Sequence, residues 1–427
     1  MWYLLIIATY SKCIIFISGE RKMYKYLENL VDIWLRVGVN IQQNQLLYVT
    51  IPSEYISLKD IFDKKVKQLK GMGVIYQFTD DYDQLLEKYK NDYESYDSYL
   101  SEITSKKVNL LEQNCVFFEA KRGIDFFEEE KMQELQKLKR IEKKYNLEFR
   151  NKKRKAGNIV SCKTVIPTQY WAECIFPEEV RPLDKLWDVY FQITLANYND
   201  AVEIWNGRID EIQERVKYLD RQQFKSLYFK TDKTQLDVEL AENHKWTGGC
   251  EITEKGIRYM PNFPTQEIFT APKKTGITGL MHNTKPLSYG GRLVNDFSLQ
   301  FEKGKIIDYC ATDNKLILDE IINLDENNRY PGEIAILPGI TEISKSNIIF
   351  RTTLLDENAA CHLAIGCAYP CSINHKIEYE RKEFERLGIN YSNYHVDVMF
   401  GDSRITITAI SNNNEVTLLM ENGEWRV

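Results

Sequence analysis

Apolar runs alternate with helical segments through the first half of the chain, and this order restricts the possible folds. Runs rich in β-branched and aromatic residues predict strands at 46–51, 73–78, 115–118 and 159–166. Charged segments predict helices at 55–70, 82–106, 126–145, 183–196 and 201–219. Strands that alternate with helices at this spacing form a mainly parallel sheet with crossover helices. The first half therefore predicts an α/β domain.

The second half consists mainly of short β-rich runs. These predict strands at 234–240, 256–259, 290–294, 298–301, 305–308, 404–409 and 415–419. Turns such as 302–304 join neighbouring runs, as in antiparallel sheets. The glycine-containing stretches 247–250 and 274–279 lack the spacing of a dinucleotide-binding loop and are interpreted as turns. The fold class is thus predicted as α/β plus α+β, with an α/β domain at 23–235 and a mostly antiparallel, β-rich domain at 236–427.

The run 394–401 places an imidazole and a carboxylate on one face of a predicted strand. Strand side chains repeat every two residues, so His395 and Asp397 point the same way and can both reach one cation. A hydrogen-bonded His–Asp pair in a core is the ordinary alternative. A metal site would have few imidazoles available, because the chain has five histidines: His244, His282, His362, His375 and His395.

Two glutamates elsewhere lie beside apolar runs. Glu267 stands among β-formers bounded by prolines, and Glu333 follows a Pro-Gly turn. Glu267 could instead be a surface residue on a half-exposed strand, and Glu333 could be an ordinary surface residue of the turn. Burying such carboxylates costs several kcal/mol unless they are paired or bound to a cation. Their repeated placement therefore indicates a shared cation.

The segment 352–369 is rich in small residues and predicts a short buried helix that begins at Asp356 as its N-cap. His362 and Tyr369 are seven positions apart, nearly two turns, and would share one face of it. Glu357 would not share that face in an ideal helix. The alternatives are a core histidine with satisfied hydrogen bonds and a packed tyrosine with a solvated hydroxyl.

Four of these segments resemble motifs of the aminopeptidase T / aminopeptidase S family, which are dimetal exopeptidases. The motifs are NFPTQEIFTAP (262–272), YPGEIAILP (330–338), TLLDENAACHLAIGCAY (353–369) and HVDVMFG (395–401). A fifth stretch, IPTQYWAECIFP (166–177), is similar to a segment of the family's first domain. The resemblance extends from about residue 23 to residue 427 and is strongest after residue 245.

The resemblance implies a metal-dependent aminopeptidase that removes N-terminal amino acids from peptides with a free N-terminus. It implies two divalent ions per chain, which activate water, and a homodimer. A ligand set rich in carboxylates suits Zn²⁺, Co²⁺ or Mn²⁺. The implied roles are metal ligation by Glu267, Glu333, His362, His395 and Asp397, ligation or proton transfer by Glu357, and catalysis by the hydroxyl of Tyr369. Among the ligands, Glu333 is expected to bridge the ions.

Two other functions remain open at the level of sequence. One is a different metal-dependent amide or dipeptide hydrolase, and the other is a non-catalytic, metal-stabilised protein. A requirement for a free substrate amine identifies an exopeptidase. Loss of turnover on chelation separates an enzyme from a protein that metal merely stabilises.

Composition excludes several other classes. The net charge of −6 argues against nucleic acid as a partner. Nine scattered cysteines without a Cys-x-x-Cys pair are typical of a reducing compartment, and they predict a cytoplasmic protein. The chain has no His-Glu-x-x-His motif, Gly-x-Ser-x-Gly elbow or phosphate-binding loop.

The first 18 residues are largely apolar but do not form a signal or anchor pattern. Lys12 interrupts them, a basic leading region is missing, and the apolar pieces are too short to span a bilayer. Membrane association is therefore not expected. We interpret Met23 as the natural start and residues 1–22 as a non-native N-terminal extension.

Overall fold

The computed structural model describes residues 18–124, 131–157, 159–374 and 380–427. It contains two compact units. The first comprises the residues up to Trp205 together with Glu251–Phe263, and the second comprises Asn206–Cys250 and Pro264–Val427. The predicted boundary at 235/236 falls within the second unit. Most of the predicted extension, and the predicted helix start at residue 126, lie outside the described residues.

The first unit is built on a four-stranded parallel sheet. Its strands are β1 (Leu46–Pro52), β2 (Gly73–Thr79), β3 (Cys115–Arg122) and β4 (Ser161–Ile166), in the order β2-β1-β3-β4. Each neighbouring pair is parallel. The helices of this unit are Ser18–Ile33, Lys59–Gln68, Tyr82–Tyr89, Tyr93–Leu110, Met132–Ala156, Gln169–Ile175 and Pro182–Ile193. This arrangement confirms the predicted parallel α/β domain.

The predicted helix at 82–106 is divided in two by local capping. Asp81 begins the first helix, and its carboxylate accepts from the backbone N–H of Gln84 at 2.8 Å. Asn91 then takes a left-handed φ of 69°, which interrupts the helix. Asp92 begins the second helix by accepting from the N–H of Ser95 at 3.1 Å. Aspartate suits both positions because its short side chain reaches the free N–H groups of the first turn.

The second unit contains two antiparallel sheets. The strands of the eight-stranded sheet are β5 (Ser226–Lys230), β6 (Gln235–Leu240), β11 (Pro272–His282), β14 (Phe297–Glu302), β15 (Lys305–Ala311), β19 (Thr406–Ile410), β20 (Val416–Glu421) and β21 (Glu424–Trp425). Those of the five-stranded sheet are β7 (Thr247–Gly248), β10 (Ile268–Thr270), β16 (Pro331–Ile336), β17 (His362–Gly366) and β18 (His395–Met399). The order across the eight-stranded sheet is β15-β14-β11-β6-β5-β19-β20-β21, and across the five-stranded sheet it is β18-β17-β16-β10-β7.

Smaller elements complete the chain and confirm its β-rich second half. One two-stranded pair joins β8 (Glu251–Ile252) and β9 (Arg258–Tyr259), and another joins β12 (Leu287–Tyr289) and β13 (Arg292–Val294). The remaining helices are Ala201–Gln222, Lys315–Ile322, Glu342–Ser346, Thr353–Asp356 and Arg381–Arg386. Within the parts of the chain that the structure covers, no helix is both long and apolar enough to cross a membrane.

The turn predicted at 274–279 is wrong, because these residues lie inside β11. Gly279 has a φ of +123°, and a Cβ there would lie 2.2 Å from the carbonyl oxygen of Gln235 on β6. Glycine is therefore needed for close backbone approach between strands. The predicted turn at 247–250 likewise contains the two residues of β7. Gly248 of β7 has a similar role, because a Cβ there would lie 2.2 Å from the carbonyl oxygen of Glu267.

One face of the five-stranded sheet packs into the apolar core of this unit. Ile334 of β16, Leu363 of β17 and Val398 of β18 join a buried cluster with Leu227 and Phe229 of the other sheet. Strand side chains alternate, so the residues between them point to the opposite face. That opposite face carries the candidate site.

Candidate metal centre

Three neighbouring strands of the five-stranded sheet, β16, β17 and β18, align two carboxylates across a small residue. Glu333 of β16 pairs with Ala364 of β17, and Ala364 pairs with Asp397 of β18. Residues paired in this way share a face of the sheet. The methyl group of Ala364 therefore leaves open space between the two acidic side chains.

The two site histidines also stand opposite small residues. His362 pairs with Ala335 on β16, and His395 pairs with Gly366 on β17. Gly366 has a φ of +104°, and a Cβ there would lie 2.3 Å from the carbonyl oxygen of Tyr394. Each histidine therefore stands opposite alanine or glycine on one neighbouring strand, while Met399 of β18 stands opposite His362 on its other side.

The helix predicted within 352–369, with Asp356 as its N-cap, is wrong. The segment forms the helix Thr353–Asp356, a 3₁₀ turn at Glu357–Ala359, and then β17. Small residues have no strong local preference here, and pairing with β16 and β18 on both sides makes an inner strand the favoured structure. Asp356 ends the helix, and its carboxylate accepts from the N–H groups of Phe350 and Thr352 at 2.8 and 3.1 Å.

Five of the predicted ligand residues converge on the open face. His362 Nε2 lies 3.4 Å from Glu267 Oε2 and 3.5 Å from Glu333 Oε1. His395 Nε2 lies 3.9 Å from Glu333 Oε2 and 3.2 Å from Asp397 Oδ1. They form two groups capable of holding a cation, Glu267-Glu333-His362 and Glu333-His395-Asp397, each with ligand atoms within 4.8 Å of one another. Glu333 belongs to both, and its two oxygens face different histidines.

Backbone carbonyl groups orient both imidazoles. His362 Nδ1 lies 3.2 Å from the oxygen of Ala360, and His395 Nδ1 lies 2.8 Å from the oxygen of Cys367. A carbonyl oxygen only accepts, so each Nδ1 carries a proton, and each Nε2 faces the acidic groups as the nitrogen that can hold either a second proton or a metal ion. This is the arrangement that metal-binding histidines commonly use. The sequence shows no signal for these two carbonyl groups.

Neither of the other two described histidines, His244 and His282, belongs to the centre. His244 is buried, and its Nδ1 lies 3.0 Å from the carbonyl oxygen of Ala241. His282 Nε2 lies 3.2 Å from the carboxylate of Asp296. His375 lies outside the described residues.

Glu357 and Tyr369 lie at the margin of the centre. Glu357 begins the 3₁₀ turn and belongs to neither three-residue group, but it is close enough to interact electrostatically with Glu267 and Asp397. Tyr369 as a whole residue is 43% exposed, and its ring centroid lies 4.5 Å from that of His395. Phe269, two residues beyond Glu267, contacts Tyr369 with a centroid distance of 6.0 Å. Phe269 was not anticipated from the sequence, although the strand period places it on the site face.

Burial and repulsion raise the pKa values of two carboxyl groups. Burial raises the pKa of Glu357 well above its ordinary value, and repulsion by Glu267 and Asp397 raises it further. Burial also raises the pKa of Glu333, with His362 and His395 opposing the shift. Such shifts arise where several acids share a desolvated space.

The pKa values of the two imidazoles are also raised, but here the neighbouring acids cause the rise and burial opposes it. Burial alone would lower the pKa of His362, but its contacts with Glu267 and Glu333 raise it well above the ordinary value. Burial likewise opposes protonation of His395, while Asp397 and then Glu333 raise its pKa to about 9. Burial would raise the pKa of Asp397, but the neighbouring His395 lowers it. Without a metal, the protein therefore uses protons on its imidazoles to balance its acids.

The residues fit divalent cations. Glu333 Oε2 is buried and has no hydrogen-bond partner within the described part of the chain. A buried carboxylate oxygen without a donor is costly and needs a positive partner. Carboxylate oxygens and imidazole Nε2 atoms are ligands for transition metals and zinc.

Comparison with known families agrees with this geometry. Residues 23–425 match the family described as thermophilic metalloprotease (M29). The chain belongs to this family. It is a metal-dependent aminopeptidase, as the relatives also indicate. It is 30% identical to aminopeptidase 2 of Geobacillus stearothermophilus over 407 residues, covering 94% of this chain and 98% of the relative.

Other relatives and a solved structure agree. This aminopeptidase is 37% identical to aminopeptidase AmpS of Bacillus subtilis over 60% of its own length and 63% of the relative's. It is 35% identical to aminopeptidase T of Thermus thermophilus over 62% of its own length and 65% of the relative's. The solved structure of wild-type AmpT from Thermus thermophilus matches with a TM-score of 0.81 and 26% identity, covering 95% of this chain and all of that one. The predicted family is confirmed.

Proposed function

We propose that this aminopeptidase uses two divalent ions to remove the first residue of a peptide. The two ligand groups that share Glu333 would hold these ions. Glu267, Glu333 and His362 would hold one ion, and Glu333, His395 and Asp397 the other. The observation that carries this proposal is the shared position of Glu333, whose oxygens face both histidines. A single site would not require a carboxylate common to two groups.

Charge balance supports two ions. Glu267, Glu333, Glu357 and Asp397 carry four negative charges when ionised, and the neutral imidazoles carry none. Two divalent cations supply four positive charges. Buried acids of one sign are unstable unless such compensation is present. The raised pKa values of Glu333 and Glu357 show that protein groups alone do not provide it.

The protein groups have distinct roles in hydrolysis. Bound divalent ions would lower the pKa of water and polarise the scissile carbonyl group. Glu357, which lies outside both groups, would take a proton from the attacking water and pass it to the leaving amine. Burial and the nearby carboxylates raise the pKa of Tyr369 well above its ordinary value, so its hydroxyl stays protonated and can donate to the developing oxyanion. The free α-amine of a peptide would bind one of the ions or pair with a carboxylate of the centre.

A free-amine requirement tests the exopeptidase assignment. The metal-loaded enzyme is expected to hydrolyse leucine-p-nitroanilide and to leave N-acetyl-leucine-p-nitroanilide intact, because acetylation removes the free amine that would bind an ion or pair with a carboxylate of the centre. Release of p-nitroaniline measures both reactions. Equal rates on the two substrates would favour a general amide hydrolase, and no turnover on any metal-loaded sample would favour a metal-stabilised protein.

The hydroxyl of Tyr369 gives a second test. Tyr369→Phe is expected to lower kcat by about 10²- to 10³-fold, the usual effect of losing one oxyanion donor. Metal content and KM should stay close to those of the wild type, because the ring and its contact with His395 remain. Tyr394→Phe is the matched control, since Tyr394 precedes His395 and is similarly exposed. Equal small effects in both variants would assign Tyr369 to packing.

The identity of the metals, the cellular location and the oligomeric state are further parts of this proposal. We propose Zn²⁺, Co²⁺ or Mn²⁺ as the ions, because carboxylate and imidazole ligands suit all three. A cytoplasmic location is supported by the free thiols of Cys115, Cys162, Cys174 and Cys361, which are typical of a reducing compartment. A homodimer is proposed from the family resemblance, and sedimentation equilibrium would measure it.

A further inference from the structure

Asn358 connects the two acidic segments on one side of the centre. It directly follows Glu357 and is 1% exposed. Its side-chain oxygen accepts from the backbone N–H of Gln266 at 2.8 Å, and Gln266 directly precedes Glu267. One buried amide therefore bonds the turn that carries Glu357 to the residue beside Glu267.

Further bonds hold this amide in place. The Asn358 amide nitrogen donates to the carbonyl oxygen of Leu354 at 3.3 Å, and the Asn358 carbonyl oxygen accepts from the hydroxyl of Thr341 at 2.9 Å. These bonds fix both the side chain and the backbone of Asn358. A buried polar group with satisfied partners is rigid and specifies one arrangement of the segments it joins.

Gln266, whose backbone N–H donates to Asn358, is also held by its side chain. The Gln266 side chain donates to Glu342 Oε2 at 2.9 Å, and Arg208 Nη1 donates to the same oxygen at 2.7 Å. Arg208 Nη2 contacts the second oxygen of Glu342, which completes a bidentate pair. A bidentate guanidinium–carboxylate pair has a defined geometry. Gln266 is therefore held through both its backbone and its side chain.

We propose that Asn358 is a positioning residue that holds Glu267 and Glu357 at a set separation, and so determines the affinity for one of the two ions. This inference rests on the proposed two-ion function. Glu267 and Glu357 repel each other, and the bond from Asn358 to Gln266 opposes their separation. The affected ion is the one assigned to Glu267-Glu333-His362. The other group, Glu333-His395-Asp397, lies on β16 and β18, which are held together through β17.

Metal titration of Asn358→Leu tests the proposal. Leucine has a similar size and cannot accept from Gln266. We expect binding of one ion to weaken by about 10- to 100-fold, the usual effect of losing a group that orients a ligand, while the second ion binds as in the wild type. Isothermal titration of the metal-free protein with Zn²⁺ and Mn²⁺ separates the two events without an activity assay.

Asn283→Leu is the matched control. Asn283 is also buried, accepts from the N–H of Phe297 at 2.6 Å and donates to the oxygen of Lys285 at 2.9 Å. It has the same pattern of bonds but joins no segment of the centre. Its replacement should lower thermal stability and leave both metal affinities unchanged. Equal weakening of both ions in Asn358→Leu, or affinities equal to those of the control, would overturn the proposal.

Glu342→Gln keeps the test decisive if Asn358→Leu does not fold. It weakens the pair with Arg208 and the anchor for Gln266 without removing the Asn358 bond. A smaller loss of affinity for the same ion is expected, and unchanged binding would count against the positioning role. Wild-type protein that binds a single ion would contradict the two-ion function itself. The positioning role would then be judged on that ion, again against Asn283→Leu.

Discussion

Replacing Glu333 with glutamine is expected to abolish peptide cleavage while the fold stays intact. Glutamine keeps the size of the side chain but removes the charge that both groups share, so neither ion retains its full ligand set. The expected fall in kcat/KM is at least about 10³-fold, which corresponds to roughly 4 kcal/mol of transition-state stabilisation. Hydrolysis of leucine-p-nitroanilide with metal in excess measures the loss.

Two controls accompany this variant. Circular dichroism should show unchanged secondary structure, because Glu333 points away from the apolar core of its unit. Glu239→Gln removes a strand carboxylate that pairs with Lys273 at 2.8 Å on the surface, and it should leave activity unchanged. Full activity of Glu333→Gln in excess metal would exclude Glu333 from the centre.

Metal removal is expected to eliminate activity and to make folding stability depend on pH between about 6.5 and 9. Without ions, Asp397 and Glu333 keep His395 protonated, and its pKa rises to about 9. The folded protein therefore binds this proton more tightly than the unfolded chain, in which histidine titrates near 6.5. Such a group contributes stability that is complete below pH 6.5 and is lost as the pH rises through 9. For His395 the contribution is on the order of 3 kcal/mol.

The metal-bound protein should behave differently. Its imidazoles must be neutral to bind a cation, so the loss between pH 6.5 and 9 should be small. The ions also stabilise the folded state by mass action, by about 2.7 kcal/mol per site at 100 times Kd. Urea unfolding of chelated and metal-restored protein at pH 6.5 and pH 9 measures both effects. A chelated protein whose stability is the same at both pH values would contradict the proposed pairing of His395.

The strand at 395–399 illustrates what a local pattern can predict. Its alternation placed His395 and Asp397 on one face, and the structure shows Val396 and Val398 in the core on the other. A period of two is a property of the strand itself, so no tertiary information was needed. The parallel sheet of the first unit was predictable for a similar reason, since its strands and helices follow one another along the chain.

His362 illustrates the limit of such reasoning. Alanine, cysteine and glycine around it favour no single structure, and helical spacing suggested that it shared a face with Tyr369. The structure instead places His362 at the start of an inner strand between β16 and β18. Neighbours about 30 residues away along the chain determine its conformation, and no local period reveals them.

The sequence alone established which side chains could bind a metal, their order along the chain and the family motifs. This was possible because chemical identity and strand period are local properties. Only the tertiary structure decided that Glu333 faces both histidines, that Ala364 leaves space beside it, and that the carbonyl groups of Ala360 and Cys367 orient the imidazoles. These features depend on the register between strands distant in the chain. Register is determined by the packing of the whole sheet on its core. The residue pattern of a single strand carries no information about that packing.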